Sequence, residues 1–278
     1  MDLINSFKNY LEQEDKSIHT INNYSLDVKV YIKWHYDTFG IEFIRLLRPN
    51  ILEYKSYLST VKKLNGKTIN RKLSSLINFN RYLVINGNQD DYVVFKNDYI
   101  KVQSEFANPC NIVKSDVESL RQKILLNNDL RLYCVVTIMA YCGLRIQETL
   151  DIKLKDINLD SKELIIRKGK GNKQRVVIIN NKIVGAIRSY LKVRDGEGEY
   201  LFISRARSKL DRTVVNKQLN KYGSITPHML RHFYCTNAME NGFQIHEIAN
   251  QAGHSNITTT LIYTNPSKSE LRRKVELL

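Results

Sequence analysis

Two imidazoles and a guanidinium stand together in His228-Met229-Leu230-Arg231-His232, and His254 and Tyr263 follow in the last quarter of this 278-residue chain. A second arginine closes an apolar run far upstream, in Gly143-Leu144-Arg145-Ile146-Gln147-Glu148. Guanidinium groups bind phosphate oxygens bidentately, imidazoles move protons near neutral pH, and a phenol oxygen can attack phosphorus. Together these groups suit cleavage of a phosphodiester without a metal. His228 and His232 lie four apart and would share a helix face, as zinc ligands do. However, Met229 stands where His-Glu-x-x-His needs its general-base glutamate, and Arg231 adds positive charge beside the pair. No metal and no cofactor are expected.

Such residues need elements to hold them. Leu132 to Ala140 is apolar nearly all round and predicts a buried helix. Gly143 ends it and lets the backbone turn, presenting Arg145 at a junction. Glu148 comes one helical turn later, placed to orient that guanidinium. Glu163–Arg167 and Arg175–Ile179 are β-rich, and the glycine-containing stretch between them predicts a hairpin with Lys168, Lys170 and Lys173 at its tip. A solvated charge cluster is the plain alternative for Lys168 and Lys173. Ser115 with Glu118 reads as a capping box opening this half of the chain. After Pro266, Ser267 or Ser269 can cap a short helix over 267–278, with Leu271, Val275 and Leu278 in one stripe and Arg272, Arg273 and Lys274 opposite.

The first 86 residues read as four helices. Leu3, Ile4, Phe7, Tyr10 and Leu11 make the apolar face of the first. Ile21, Tyr24, Val28, Tyr31, Ile32 and Trp34 point inward from the second, over about Ser17–Asp37. The third follows Pro49, with Leu52, Tyr54, Tyr57, Leu58 and Val61 inward. The fourth, Thr68–Ile85, carries Ile69, Leu73, Leu76, Phe79, Tyr82 and Leu83. A polar connector is expected over 87–112, within which Asp91–Val102 alternates enough to form a short ordered segment. The second domain then spans 113–278.

Lysine plus arginine minus aspartate plus glutamate is 43 − 28 = +15, which suits a polyanionic partner, although a basic chain can also gain only solubility from its charge. Cys110, Cys134, Cys142 and Cys235 show no metal-like spacing and read as free thiols in a reducing compartment. No signal-peptide pattern opens the chain, and no apolar run nears the ~20 residues that span a bilayer. A cytoplasmic, nucleoid-associated protein is expected, without membrane contact.

In order and spacing, these boxes resemble the tyrosine recombinase (phage integrase) family. Gly143–Glu148 resembles its first arginine box and His228–His232 its His-x-Leu-Arg-His box. Ala252-Gly253-His254-Ser255 resembles its Gly-His element, and Thr258–Thr264 the stretch that carries its nucleophile. Thr20, Tyr24, Asp27 and Trp34, with Arg71–Leu76, resemble the family's SAM-like core-binding domain. The short Xer-like and transposon resolvase members look nearest.

The resemblance implies a fold that is mainly α with a small β-hairpin sheet in the catalytic domain, its two domains forming a C-shaped clamp on DNA. It implies Arg145, Lys170, His228, Arg231, His254 and Tyr263 as catalytic residues, with Tyr263 the nucleophile and Lys170 the general acid. Glu148 and His232 would support them. Thr20, Arg71, Lys72, Ser74, Lys168, Lys173 and Arg175 would contact DNA. It further implies double-stranded DNA with an inverted-repeat core site, a dimer per site, a tetramer in the synapse, and docking of the 267–278 helix in a neighbouring protomer. The helical domain starts at the second residue, so a preceding arm-binding domain is not expected. Resolution of dimers or transposon cointegrates is the expected task. Topoisomerase IB-like relaxation and a non-catalytic DNA-binding regulator are the alternatives.

Overall fold

Local capping chemistry sets the helix starts in the first half of the chain. In the computed structural model, which describes residues 3–102, 112–167, 174–204 and 206–253, Ser17 opens α2 (Ile18–Phe39) by accepting the Thr20 N–H at 3.2 Å. Asn65 opens α4 (Gly66–Ile85) in the same way, accepting from Thr68 at 2.8 Å. Pro49 sits in the first turn of α3 (Arg48–Thr60), where its missing N–H costs nothing. These helices and α1 (Leu3–Gln13) enclose an aromatic-rich core of Phe7, Tyr31, Trp34, Tyr54, Phe79 and Tyr82.

The inward positions read from the sequence are buried or half-buried, except Leu52 on α3 and Val61 just after it. Leu52 is 46% exposed and Val61 65%, while Ile51 is fully buried. The stripe that α3 turns inward is Ile51–Tyr54–Leu58, an i, i+3, i+7 pattern that places Leu52 a quarter-turn round and leaves Val61 at the helix end.

The stretch read as a polar connector begins as part of the first unit. Asn80 accepts the Val93 and Val94 N–H groups at 2.7 and 3.1 Å and donates to the Asp91 carbonyl. Asn70 pairs both ways with the Ile100 backbone, at 2.8 and 2.9 Å. Arg48 binds Asp98 through two 2.6 Å hydrogen bonds. The chain divides into two compact units, Met1–Ser104 and Glu105–Leu278.

The second unit is built on α6 (Leu130–Cys142), capped by Asp129 and buried along nine of its positions. Around it pack α5 (Lys114–Leu126), α8 (Asn181–Leu191) and α10 (Pro227–Glu240). The cap of α5 is not the expected Ser115–Glu118 box: Asp116 accepts the Val113 N–H at 3.1 Å. Glu118 instead takes hydrogen bonds from Arg121, Tyr141 and Lys182. Two shorter helices, α7 (Ile146–Leu150) and α9 (Arg212–Leu219), also pack against α6 and each other, and α11 (Ile245–Ala252) closes the described part.

An antiparallel sheet in the order β1–β2–β3 joins Ile157–Asn158, Glu163–Ile166 and Arg175–Ile178, with Leu164 opposite Val177 and Ile166 opposite Arg175. The hairpin is thus present, with a third two-residue strand beside it. Its tip, with Lys168, Lys170 and Lys173, lies outside the described residues, as do Cys110, His254, Tyr263 and the 267–278 segment. Cys134 and Cys142 are buried free thiols, and Cys235 is buried as well. Among the described residues no helix is long and apolar enough to cross a membrane.

Candidate active site

Gly143 makes the junction at the end of α6 possible. It holds φ +67°, and a Cβ built there would lie 2.2 Å from the Tyr234 ring, so only glycine fits both the turn and the packing. Two residues on, Arg145 occupies the N-cap of α7 in extended conformation. Glu148 reaches back to it, accepting the Arg145 N–H at 2.9 Å and its guanidinium at 3.2 Å. Glu148 thus meets both the backbone and the guanidinium of Arg145.

Glu148 is buried, and three guanidiniums surround it. Arg175 grips it bidentately at 3.1 and 3.0 Å, Arg145 lies at 3.2 Å and Arg231 at 4.0 Å. Burial alone would raise the Glu148 carboxyl, but hydrogen bonds from Arg175 and the Arg145 backbone outweigh that and hold it below the ordinary carboxylate range. Three positive groups against one negative leave a formal +2 at this point. A poorly solvated surplus of guanidinium charge is an anion site.

The C-terminal end of α11 supplies the remaining acceptors. Arg231 donates to the Ala252 and Gly143 carbonyls, each at 2.7 Å, and Arg145 donates to the Gly253 carbonyl at 2.8 Å. These arginines complete the last carbonyls of the helix and match its negative dipole end. Arg231 itself is buried on α10, whose start is set by Thr226 accepting the Met229 N–H. His228 and His232 stand one turn apart beside it, their Nε2 atoms 2.6 Å apart. At that distance one ring donates and the other accepts, so the pair is neutral on at least one side. Burial and the neighbouring Arg231 charge lower His228, and burial with His228 and Arg231 brings His232 to about 4. Among the described residues no group of three or more His, Cys, Asp or Glu side chains could hold a metal ion.

The structure thus brings Arg145, Glu148, His228, Arg231 and His232 into one region. It adds one residue read differently from the sequence. Arg175 was expected to contact DNA, but its side chain is 17% exposed and directed at Glu148 and at the Gln251 and Ala252 carbonyls. The only sequence signal is its position at the foot of the hairpin. The DNA candidates of the first unit are likewise engaged. Arg71 and Lys72 both bind the buried Asp27, Ser74 bonds the Asn70 carbonyl and Tyr99 hydroxyl, and Thr20 meets Ser17. Arg71 keeps 44% of its side chain exposed, while Lys72 keeps 13%.

Residues 111–270 match the profile of the phage integrase family, and residues 4–87 match its N-terminal SAM-like domain. The chain belongs to the phage integrase family. The recombinase is 51% identical to the TnP I resolvase of Bacillus thuringiensis, with all of both chains covered. It is 30% identical to the tyrosine recombinase XerA of Pyrococcus horikoshii, over 99% of this chain and 93% of that one. Its fold resembles that of XerH site-specific recombinase in a post-cleavage complex with palindromic difH substrate, at a TM-score of 0.74 and 19% identity, covering 94% of this chain and 80% of that one. The recombinase is accordingly a DNA-binding enzyme of site-specific recombination that cuts and rejoins strands, and topoisomerase-like relaxation is not favoured.

Proposed function

We propose that this recombinase resolves DNA dimers or transposon cointegrates by a phosphotyrosyl mechanism on an inverted-repeat core site. The observation that carries the mechanism is the convergence of Arg145 and Arg231 on Glu148, beside two imidazoles lowered by burial. Arg145 and Arg231 hold the non-bridging oxygens of the scissile phosphate and stabilise the charge of the pentacoordinate transition state. The Tyr263 oxygen attacks phosphorus, forming the Tyr–O–P bond as the bond from phosphorus to the 5′ oxygen breaks. The phenol proton passes to a neutral acceptor, for which His228 is suited, and His254 holds a phosphate oxygen. Lys170 gives a proton to the departing 5′ oxygen. The 3′-phosphotyrosyl link conserves bond energy, so religation to a partner strand requires no ATP.

The resolvase relative at 51% identity supports the biological task. Thr20, Arg71, Lys72, Ser74, Lys168 and Lys173 add phosphate contacts. Two protomers occupy each site and four form the synapse, with the 267–278 segment docking in trans. A suicide substrate nicked near the cleavage position tests the chemistry. Wild-type protein in EDTA is expected to form a covalent adduct, whereas Tyr263→Phe binds the DNA and forms none. An adduct with the phenylalanine variant, or a strict Mg²⁺ requirement, overturns the mechanism.

A further inference from the structure

Arg145 rests on two acceptors, Glu148 Oε1 at 3.2 Å and the Gly253 carbonyl at 2.8 Å. Both supports are themselves held by Arg175. Its Nη1 and Nη2 bind the two Glu148 oxygens, and Nε and Nη2 donate at 3.3 Å to the Gln251 and Ala252 carbonyls, the two that precede Gly253. The backbone at Gly253 lies close against this guanidinium, since a Cβ there would sit 2.4 Å from Arg175 Cζ. Three residues further along β3, the Gln251 amide pairs with both backbone groups of Ile178, at 2.5 and 3.3 Å, like one more strand on the sheet edge. One side chain thus registers the hairpin strand, α7 and the end of α11.

The charges point the same way. Without Arg175, Glu148 would face only Arg145 and Arg231, and it would neutralise more of the Arg145 charge and draw it inward. Arg175 takes up that carboxylate in a bidentate pair, which leaves Arg145, with 35% of its side chain exposed, free to offer its charge to an anion. We infer that Arg175 is a positioning residue for strand cleavage, fixing both supports of Arg145 and absorbing the Glu148 charge. This rests on the reading of Arg145 as a phosphate clamp.

The test compares cleavage by the full-length protein on nicked core-site DNA carrying either the natural scissile phosphate or a neutral methylphosphonate, at saturating DNA. Arg175→Met is expected to bind the site nearly as wild type does but to cleave the natural phosphate on the order of 100-fold more slowly, the cost of a ~1 Å misplacement. On the methylphosphonate, which has no charge for Arg145 to hold, its deficit relative to wild type should shrink to about 10-fold or less. Arg175→Lys, which keeps the charge and loses the fork, should fall between, and it carries the comparison if the methionine variant does not fold. An equal deficit on both substrates would show a general packing role and overturn the inference. Weakened binding with normal cleavage at saturation would also overturn it, in favour of a direct DNA contact. Arg145→Ala separates the two layers: if its own deficit does not shrink on the methylphosphonate, the clamp assignment fails; if it shrinks while that of Arg175→Met persists, only the role of Arg175 fails.

Discussion

A single buried carboxylate organises the described site, because Glu148 collects guanidiniums from three different elements. Beside it, His232 illustrates how burial converts into pH dependence. Its ordinary value of 6.5 falls to about 4 through burial and the neighbouring His228 and Arg231. The folded state then binds fewer protons than the unfolded chain between these values, so stability is full above pH 6.5 and declines toward pH 4. Thermal melts should show a larger drop from pH 7 to pH 5 for wild type than for His232→Asn. Equal drops would mean that His232 titrates alike folded and unfolded. At this scale the sequence was informative where residue type limits the chemistry, as for Arg145, His228 and Arg231. Arg175 was not legible as a member of the cluster. Its acceptors lie 27 residues before it and 76 and 77 after it, and no local pattern encodes such a meeting.

Turns at helix ends decide where those side chains arrive. Gly143 combines a left-handed backbone with a ring pressed against its Cα, so Gly143→Ala meets two penalties at once. Strain and overpacking together should cost about 2–5 kcal/mol, read as a shift in the urea midpoint without a change in slope. A loss under ~0.5 kcal/mol, the range of an ordinary surface change, would mean that Tyr234 yields easily. Long helices such as α2 and α4 were legible because their apolar period repeats over several turns, and α6 because it is apolar nearly all round. Shorter signals misled. Ser115 with Glu118 matched a capping pattern, yet Asp116 makes the cap because Glu118 is claimed by partners on α5, α6 and α8. The two residues of β1 carry too little pattern to be seen before their partner strand is known.

For the whole molecule, the proposed trans docking of 267–278 separates DNA binding from assembly. Deleting Ser267–Leu278 should leave half-site binding within about 3-fold of wild type, since the proposed phosphate contacts lie elsewhere. Gel shifts on paired half-sites should lose cooperativity, and strand exchange should stop. Undiminished cooperativity in the truncated protein would sink that proposal. The division of the chain was less legible than its helices, because side chains and not composition decide where the first unit stops. Asn70 and Asn80 act as two clasps along α4, holding the irregular segment that follows, while Arg48 pins Asp98 between them. This bears on how such recombinases can be recombined with one another. A chimera joined just after α4 would pair one parent's amide clasps with another parent's following segment, leaving Asn80 and Arg48 beside foreign partners. A junction beyond Val102 keeps each clasp with the segment it holds, so the first unit of this enzyme is best exchanged with that segment attached.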